Sequence, residues 1–326
     1  MSLEIVTLQD KHLQDAVALA CARYTELRQQ VPLMPARYQN AGVVRPLLCD
    51  LVGKTPGVGA IRNGQLVGFL LGFVIQFRGQ RTAFSPEWAN AVDSVSGRRI
   101  YQEMYARLAA RWNSDGCSTH LVCALAHDRD VIDGWNWLGF GLCAVDGVRG
   151  LQPLQGPIAD VEIRRAGLRE LDEAVWMAKA LERHLSSTPT FLYHAARSDT
   201  EIRKDEEEWL SNPAHALWLA YQGESAVACI RQGPSNPHAC VIIRDEGTTS
   251  IVGAFTRDDA RGKGIATALL DRSLEWARAE GYERCAVDFE PMNYLAARFW
   301  MRHFSPVSYA LARQIDGRFV KSPPRE

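Results

Sequence analysis

Two tight-turn signals at matching positions constrain the fold of this 326-residue chain more than any other feature. Asn63-Gly64 and Gln222-Gly223 each separate two β-prone apolar runs, a pattern that predicts a β-hairpin. Around each hairpin the predicted elements follow one order: strand, helix, helix, hairpin, strand, helix, strand, helix, strand. The two copies are offset by about 160 residues. This predicts a duplicated α/β domain, and the alternative is a chance match between two ordinary α/β domains.

The composition agrees with two globular domains. The chain is 47% hydrophobic and 23% charged, which is ordinary for a globular protein, and its length suits two domains. Residues 151–159 carry proline and glycine and predict a linker. We therefore expect one domain over 1–150 and a second over 160–326.

Charge and residue spacing exclude several function classes. The net charge is -1, so no overall electrostatic attraction favours nucleic acid or an anionic membrane. No apolar run is long enough to span a bilayer and the start of the chain lacks a signal pattern, so we expect a cytoplasmic protein. Eight cysteines without a C-x-x-C pair, and eight histidines without metal-binding spacing, predict free thiols and no metal site.

A glycine-rich loop precedes a predicted helix in the second domain. Gly262 and Gly264 let the backbone turn tightly, and the N–H groups of the first helical turn have no intrahelical partners. With positive charge from Arg261 and Lys263, residues 262–267 predict a phosphate or pyrophosphate site. A glycine needed only for helix packing is the alternative. The ATP-binding P-loop pattern is absent, and the dinucleotide fingerprint is only partly met.

The same loop resembles the signature of a known enzyme family. Arg261, Gly264 and Ala266 match its pattern of Arg or Gln, two residues, Gly, one residue, then Gly or Ala. Residues 293–304 match a second family pattern downstream. Residues 160–315 thus resemble the GCN5-related N-acetyltransferase (GNAT) family, and the whole chain looks like a tandem pair. The resemblance implies an α/β fold in which each domain has a mixed, mostly antiparallel central sheet flanked by helices.

The resemblance also implies how acetyl-CoA would bind. Its pyrophosphate would lie on the glycine-rich loop and its pantetheine arm along a strand edge, while Asn293 would lie near the thioester end. Asn293 can equally be a helix N-cap, and the two roles are compatible. The implied cofactor-binding residues are Ala254, Phe255, Thr256, Arg261, Gly262, Lys263, Gly264, Ile265, Ala266, Thr267, Asn293 and Trp300.

Acyl transfer to an amine needs a base for the amine and a donor for the oxyanion. The backbone amide near Thr256 is the predicted donor. Asp288, or Glu290 on the same strand face by period-two alternation, is the predicted base; a solvated or ion-paired carboxylate is the alternative. Trp300 stands where many relatives have an acidic tyrosine. Tyr294 or Tyr309 could protonate the leaving thiolate, or no acid is needed.

The first half departs further from the family pattern. Aligned on its helix, the loop reads Ser96-Gly97-Arg98-Arg99-Ile100-Tyr101, with Arg99 and Tyr101 at the positions of Gly264 and Ala266. Long side chains there predict that no pyrophosphate binds, and that this domain is non-catalytic. It would shape the substrate cleft or hold the other domain's sheet, and non-productive CoA binding stays open.

The acceptor site is expected in the loop 184–200. Phe191, Tyr193 and His194 either line a pocket or pack the loop onto the sheet. The acidic run Asp205–Glu208 is interpreted as a solvated helix face, with attraction of a cationic amine as the alternative. We expect an acetyl-CoA-dependent N-acetyltransferase of a small-molecule amine, without a metal, as monomer or homodimer. The alternatives are a protein or peptide N-acetyltransferase, or a non-catalytic CoA-responsive protein.

Overall fold

The computed structural model describes residues 3–93, 97–155, 159–237 and 239–320. The chain divides into two units. Unit 1 comprises Met1–Asp146, Cys240–Ile242 and Ser305–Glu326, and unit 2 comprises Gly147–Ala239 and Ile243–Phe304. The units differ from the boundaries predicted at 1–150 and 160–326, because the C-terminal strand and a short internal segment belong to unit 1.

Unit 1 is a mixed α/β assembly with two sheets. One has the strand order β1-β2-β3-β6, and the other contains the order β4-β5-β7-β14. The bounds are β1 Glu4–Thr7, α1 Leu13–Gln30, α2 Ala41–Cys49, β2 Gly57–Arg62, β3 Gln65–Leu71, β4 Phe73–Phe77, β5 Gln80–Ser85, β6 Asn90–Val92, α3 Gly97–Ser114, β7 Thr119–Leu125, α4 Arg129–Trp137, β8 Gly141–Gly150 and β14 Ser305–Gln314. The last four residues of β8 belong to unit 2.

Unit 2 follows the predicted element order as far as its last helix, and the predicted final strand, β14, belongs to unit 1. Its strands follow the order β13-β12-β11-β10-β9, with β12 and β13 parallel and the other neighbours antiparallel. The bounds are β9 Glu162–Arg165, α5 Leu171–Ser186, α6 Asp199–Ser211, β10 Ala216–Gln222, β11 Ser225–Pro234, β12 Thr248–Thr256, α7 Ile265–Ala279, β13 Arg284–Phe289 and α8 Tyr294–His303.

Both predicted hairpins are confirmed, and unit 1 contains a further hairpin. Asn63 and Gly64 adopt left-handed φ angles of 54° and 79°, as the turn between β2 and β3 requires. A turn at Arg78 and Gly79 joins β4 to β5. Arg78 has φ 49°, a conformation unusual for arginine, so the sequence offered no turn signal there.

Helix α7 is fixed to the sheet of unit 2 by an apolar face. Leu269, Leu270, Leu274 and Ala277 are fully buried, at the helical spacing seen in the sequence. The helix packs on β10 and β11, and the glycine-rich loop connects it to the end of β12. The glycine-rich loop is therefore held at one defined place.

Two further properties hold for the part of the chain that is described. No helix within it has the length and apolar character needed to cross a membrane. Its His, Cys, Asp and Glu side chains form no group of three or more that could hold a metal ion.

Candidate functional site

The parallel strands of unit 2 separate halfway along their length. β12 pairs with β13 from Thr248 to Ile251, where Ile251 lies opposite Val287. Beyond Ile251, β12 continues to Thr256 and pairs only with β11. Residues 252–256 therefore present one backbone edge that has no strand partner among the described residues. Such an edge can receive an extended ligand, as an added strand would be received.

A β-bulge marks the point of separation. Along β12, the partner of Arg231 is Gly253 and the partner of Gln232 is Ile251, so Val252 is an extra residue. A bulge bends its strand and redirects side chains. Here it places Val252 and Gly253 together on the lining of a pocket, which is described below.

The start of α7 offers unused N–H donors. Ala268 donates the first bond of the helix, to the Gly264 carbonyl (3.0 Å), so the N–H groups of Ile265–Thr267 precede the hydrogen-bonded turn. Gly262 and Gly264 have φ angles of +75° and +77°, which favour glycine. A Cβ on Gly262 would meet no atom within 4 Å, so this side of the loop is open. The arrangement fits a phosphate group.

The two basic residues of the loop have different surroundings. Arg261 donates from Nε to the Thr256 carbonyl (3.0 Å) and pairs with Asp258 (2.8 Å), so it ties the loop to the end of β12. Lys263 is exposed, and its ammonium group has no ion-pair partner among the described residues. Both side chains were predicted to attract a bound anion. Because Arg261 is already paired, Lys263 is the one whose charge can act on such an anion.

Asn293 precedes the first residue of α8, and Trp300 lies within the helix. Asn293 Oδ1 accepts the N–H of Ala296 (3.5 Å), which confirms the predicted N-cap. Trp300 is only 5% exposed and packs edge-on against Phe299 and Phe304, with ring centroids 4.8 and 5.5 Å away. Contact of either residue with a cofactor stays a prediction.

The two candidate bases lie at the end of β13. Asp288 is exposed and accepts a hydrogen bond from Asn236 Nδ2 (3.3 Å). Glu290 lies beyond the last strand residue, Phe289, and its carbonyl accepts the N–H of Asn293 (3.1 Å). Glu290 thus lies one residue outside the strand, and the expectation that both carboxylates share one face stays a prediction.

A pocket of about 390 Å³ lies between the sheet of unit 2 and the helices α5 and α6. It reaches Val252 and Gly253, where β12 leaves β13. Most of its lining is apolar: Ala174, Met177, Ala178, Leu181, Leu185, Ala195, Leu217, Cys229 and Val252. The charged lining residues are Glu182, Arg197, Glu206 and Arg231. Its volume is in the range of a small-molecule site.

Only one of three predicted aromatic pocket residues lines this cavity. His194 does, whereas Phe191 and Tyr193 are 72% and 60% exposed. The alternative, that these residues pack the loop onto the sheet, is therefore wrong for Phe191 and Tyr193. The sequence placed the loop correctly, but it did not show which side chains turn inward.

Glu206 corrects the interpretation of the acidic run. Its neighbours Asp205, Glu207 and Glu208 are exposed, but Glu206 is 2% exposed and lines the pocket. Burial raises the pKa of the Glu206 carboxyl above its usual value, with Arg231 opposing that shift. A sequence signal existed, since Glu206 follows the buried Ile202 by four residues and so shares its helix face.

Arg231 is held in a fixed orientation on the pocket wall. Its Nη1 donates to Glu206 Oε1 (2.5 Å), and its guanidinium lies 4.0 Å from the ring centroid of Trp209. Trp209 in turn stacks on His215, with centroids 3.8 Å apart, and donates to the Ala216 carbonyl (3.4 Å). Desolvation lowers the pKa of Arg231, although the neighbouring carboxylates oppose this.

The corresponding helix start in unit 1 is occupied by a carboxylate of the same unit. The Arg98 N–H donates to Asp130 Oδ2 (3.2 Å). Helix α4 packs closely on this turn. A Cβ atom built on Gly134 of α4 would lie only 3.2 Å from Arg98 Cα. In the described part of unit 2, α7 and α8 show no comparable packing. Asp130 therefore holds the position that an anion would take.

Side chains also bridge the strands of unit 1. The parallel pairing of β5 and β7 ends at Ser85 and Val122. Just beyond, Asn90 Nδ2 donates to the Cys123 carbonyl (3.1 Å), and Tyr101 donates to Asn90 Oδ1 (2.6 Å).

Two residues predicted to obstruct the unit 1 loop have different roles. Tyr101 is buried, and Arg99 points to solvent and pairs with Glu103. Arg99 therefore does not obstruct the start of α3 as expected. The side chain that occupies this helix start is Asp130. Ser96 lies outside the described residues.

Comparison with known proteins finds a family match in the C-terminal region. Residues 178–304 match the model of the family described as "Acetyltransferase (GNAT) family". The matched segment contains the separating strands, the glycine-rich loop and α8. Among curated proteins, no sequence matches this chain.

Solved structures support the fold. A GCN5-related N-acetyltransferase from Sphaerobacter thermophilus is 14% identical, with a TM-score of 0.52, and the alignment covers 96% of this chain and 95% of that one. The glucosamine N-acetyltransferase region of a fungal multi-domain β-N-acetylglucosaminidase is 13% identical, with a TM-score of 0.54. That alignment covers 95% of this chain and 38% of the other. At these identities the likeness concerns the fold alone.

Proposed function

We propose that residues 178–304, which match the GNAT acetyltransferase family model, transfer an acetyl group from acetyl-CoA to the amine of a small molecule. The separation of β12 from β13 after Ile251 carries the proposal. It leaves a free strand edge, and the small-molecule pocket reaches the same point at Val252 and Gly253. One substrate can thus approach along the edge while the other lies in the pocket.

The residues present fit acetyl-CoA. The free N–H groups of Ile265–Thr267, the open left-handed glycines and Lys263 suit a pyrophosphate. The unpaired edge at Ala254–Thr256 suits the amide-bearing pantetheine arm. When bound, acetyl-CoA supplies a thioester whose carbonyl carbon can be attacked.

Groups of the protein would then accept the amine proton and stabilise the oxyanion. The amine nitrogen bonds to the carbonyl carbon, the C–S bond breaks, and the amine proton must pass to a base. Asp288 and Glu290 are the proposed bases, and the Thr256 amide is the proposed oxyanion donor. A thiol with a pKa of about 8.5 leaves readily, so the exposed Tyr294 is not required as an acid.

We extend the proposal to unit 1 as a non-catalytic unit. Asp130 already accepts the N–H of Arg98 at the start of α3, and Asn90 already bridges to Cys123. Binding a pyrophosphate there would require displacing Asp130 from the helix start and would bring phosphate against its carboxylate.

The size of the pocket favours a small acceptor over a protein. Its volume of about 390 Å³ suits a small molecule, and helix residues of α5 and α6 line it. The oligomeric state, monomer or homodimer, stays part of the proposal.

Acetyl-CoA turnover across a panel of small amines tests the proposal, with release of free thiol as the readout. We expect saturable acetylation of at least one small amine. Tight acetyl-CoA binding without turnover of any amine would favour a CoA-responsive regulator, and acetylation of peptides alone would favour a protein acceptor.

A further inference from the structure

The pocket contains an arginine whose hydrogen-bonding capacity is largely unused. A guanidinium has five N–H donors. Arg231 gives one to Glu206, and the others have no acceptor among the described residues. Its Nε is fully buried. Buried donors normally find partners, and a guanidinium matches a carboxylate in a planar, two-bond geometry.

The charges of the pocket lining balance. Arg197 pairs with Glu182, and Arg231 pairs with Glu206. A polycationic or polyanionic acceptor would therefore place uncompensated charge in a partly desolvated site. A zwitterion adds one charge of each sign and keeps the balance.

Gly253 and Arg231 lie side by side on neighbouring strands. Gly253 is the ladder partner of Arg231, and a Cβ on Gly253 would lie 3.7 Å from Arg231 Cβ. The same Cβ would lie 3.5 Å from Leu181 Cδ2, so an apolar wall adjoins this point. An amine directed at Gly253 thus has the Arg231 side chain beside it and apolar surface around the remaining body.

We propose that the acceptor is a small amino acid, that is, a primary amine and a carboxylate on a short apolar skeleton. Arg231 binds the carboxylate, the amine faces the strand edge at Gly253, and Leu181 and Met177 contact the side chain. Trp209 and His215 position the guanidinium by stacking. This inference rests on the proposed function, since it names the acceptor of the same site.

Matched amines test the inference. Alanine, valine, leucine, methionine and phenylalanine are each compared with the corresponding amide and with the decarboxylated amine, in acetyl-CoA-dependent acetylation by the full chain. The variants are Arg231→Lys, which keeps the charge but loses the planar fork, and the control Arg203→Lys. Arg203 is exposed on α6, where it pairs with Asp172.

For the best amino acid we expect a KM about tenfold or more below that of its amide. Arg231→Lys should raise the KM for the acid by about tenfold while changing kcat and the KM for the amide less than about twofold. Arg203→Lys should change none of these. Equal use of acid and amide by the unmodified protein, or an equal effect of Arg231→Lys on both, overturns the inference.

A binding measurement separates this inference from the proposed function. If no amine is acetylated, the proposed function fails, and equilibrium dialysis of leucine and leucinamide with CoA present still decides the inference. Tighter binding of leucine, lost in Arg231→Lys, supports it. Equal binding of the two compounds, or binding of neither, overturns it.

Discussion

Replacing Gly264 by glutamate should abolish acetyl-CoA binding. Gly264 is the residue before α7, and the N–H groups of Ile265–Thr267 follow it directly. A glutamate there brings a negative charge and a long side chain to the donors proposed for the pyrophosphate. The change is local, because the nearest atom to a new Cβ is the Ala159 Cβ, at an ordinary contact distance of 3.4 Å.

The expected loss of affinity follows from the donors. A hydrogen bond to a charged group contributes about 1.5–3 kcal/mol, so losing two of the helix-start bonds costs about 4 kcal/mol. This corresponds to a dissociation constant roughly a thousandfold higher. The free energy of unfolding should separately fall by about 1–2 kcal/mol, because a residue with a side chain is forced into a left-handed φ.

Gly281 provides a matched control on the same helix. It follows the C-terminal end of α7, has φ +84° and has no atom within 4 Å of a built Cβ. Gly281→Glu therefore carries the same charge and a similar backbone strain, away from the loop. Isothermal titration calorimetry with acetyl-CoA, together with thermal unfolding, compares the two variants.

We expect both variants to lose similar stability and only Gly264→Glu to lose binding. Acetyl-CoA affinity unchanged in Gly264→Glu would refute the assignment of the anion site. A parallel loss of binding in Gly281→Glu would attribute the effect to general destabilisation instead.

Three further predictions concern the bases, unit 1 and pH. Asp288→Asn combined with Glu290→Gln should lower kcat about a hundredfold or more, and an unchanged rate and pH profile would exclude both as bases. Asp130→Ala should cost about 1 kcal/mol in urea unfolding, since the N–H at the start of α3 loses its acceptor, and should leave acetyl-CoA affinity unchanged; weaker binding would contradict the non-catalytic assignment of unit 1. Burial, aided by Arg313, lowers the pKa of His120 from 6.5 to about 4. A histidine whose pKa is lower in the folded than in the unfolded chain contributes its full stability at pH values above the unfolded pKa. This stability is therefore complete above pH 6.5 and is lost as the pH falls towards 4. His120→Gln should remove about 3 kcal/mol of this pH dependence in urea unfolding, and identical slopes would contradict it.

The elements of the fold were predictable because their signals are local. The turn at Asn63-Gly64 and the apolar spacing of α7 depend on neighbouring residues, and both are confirmed. The turn at Arg78-Gly79 was missed because an arginine with positive φ is stabilised by its surroundings, not by its own preference.

The chemistry of the site was only partly predictable. The glycine-rich loop is a continuous motif, so its position could be found from sequence. The pocket is built from residues far apart in the chain, and Glu206 on α6 meets Arg231 on β11 only because α6 packs on the neighbouring strand β10. Likewise, Asp130 reaches the start of α3 through packing of α4, and no spacing rule connects residues 98 and 130.

The number of acetyl-CoA molecules bound per chain tests the central claim most directly. If unit 2 holds the site and the helix start of unit 1 is filled by Asp130, calorimetry should give one molecule per chain for the unmodified protein and none for Gly264→Glu. Two molecules per chain, or one retained in Gly264→Glu, would contradict the account.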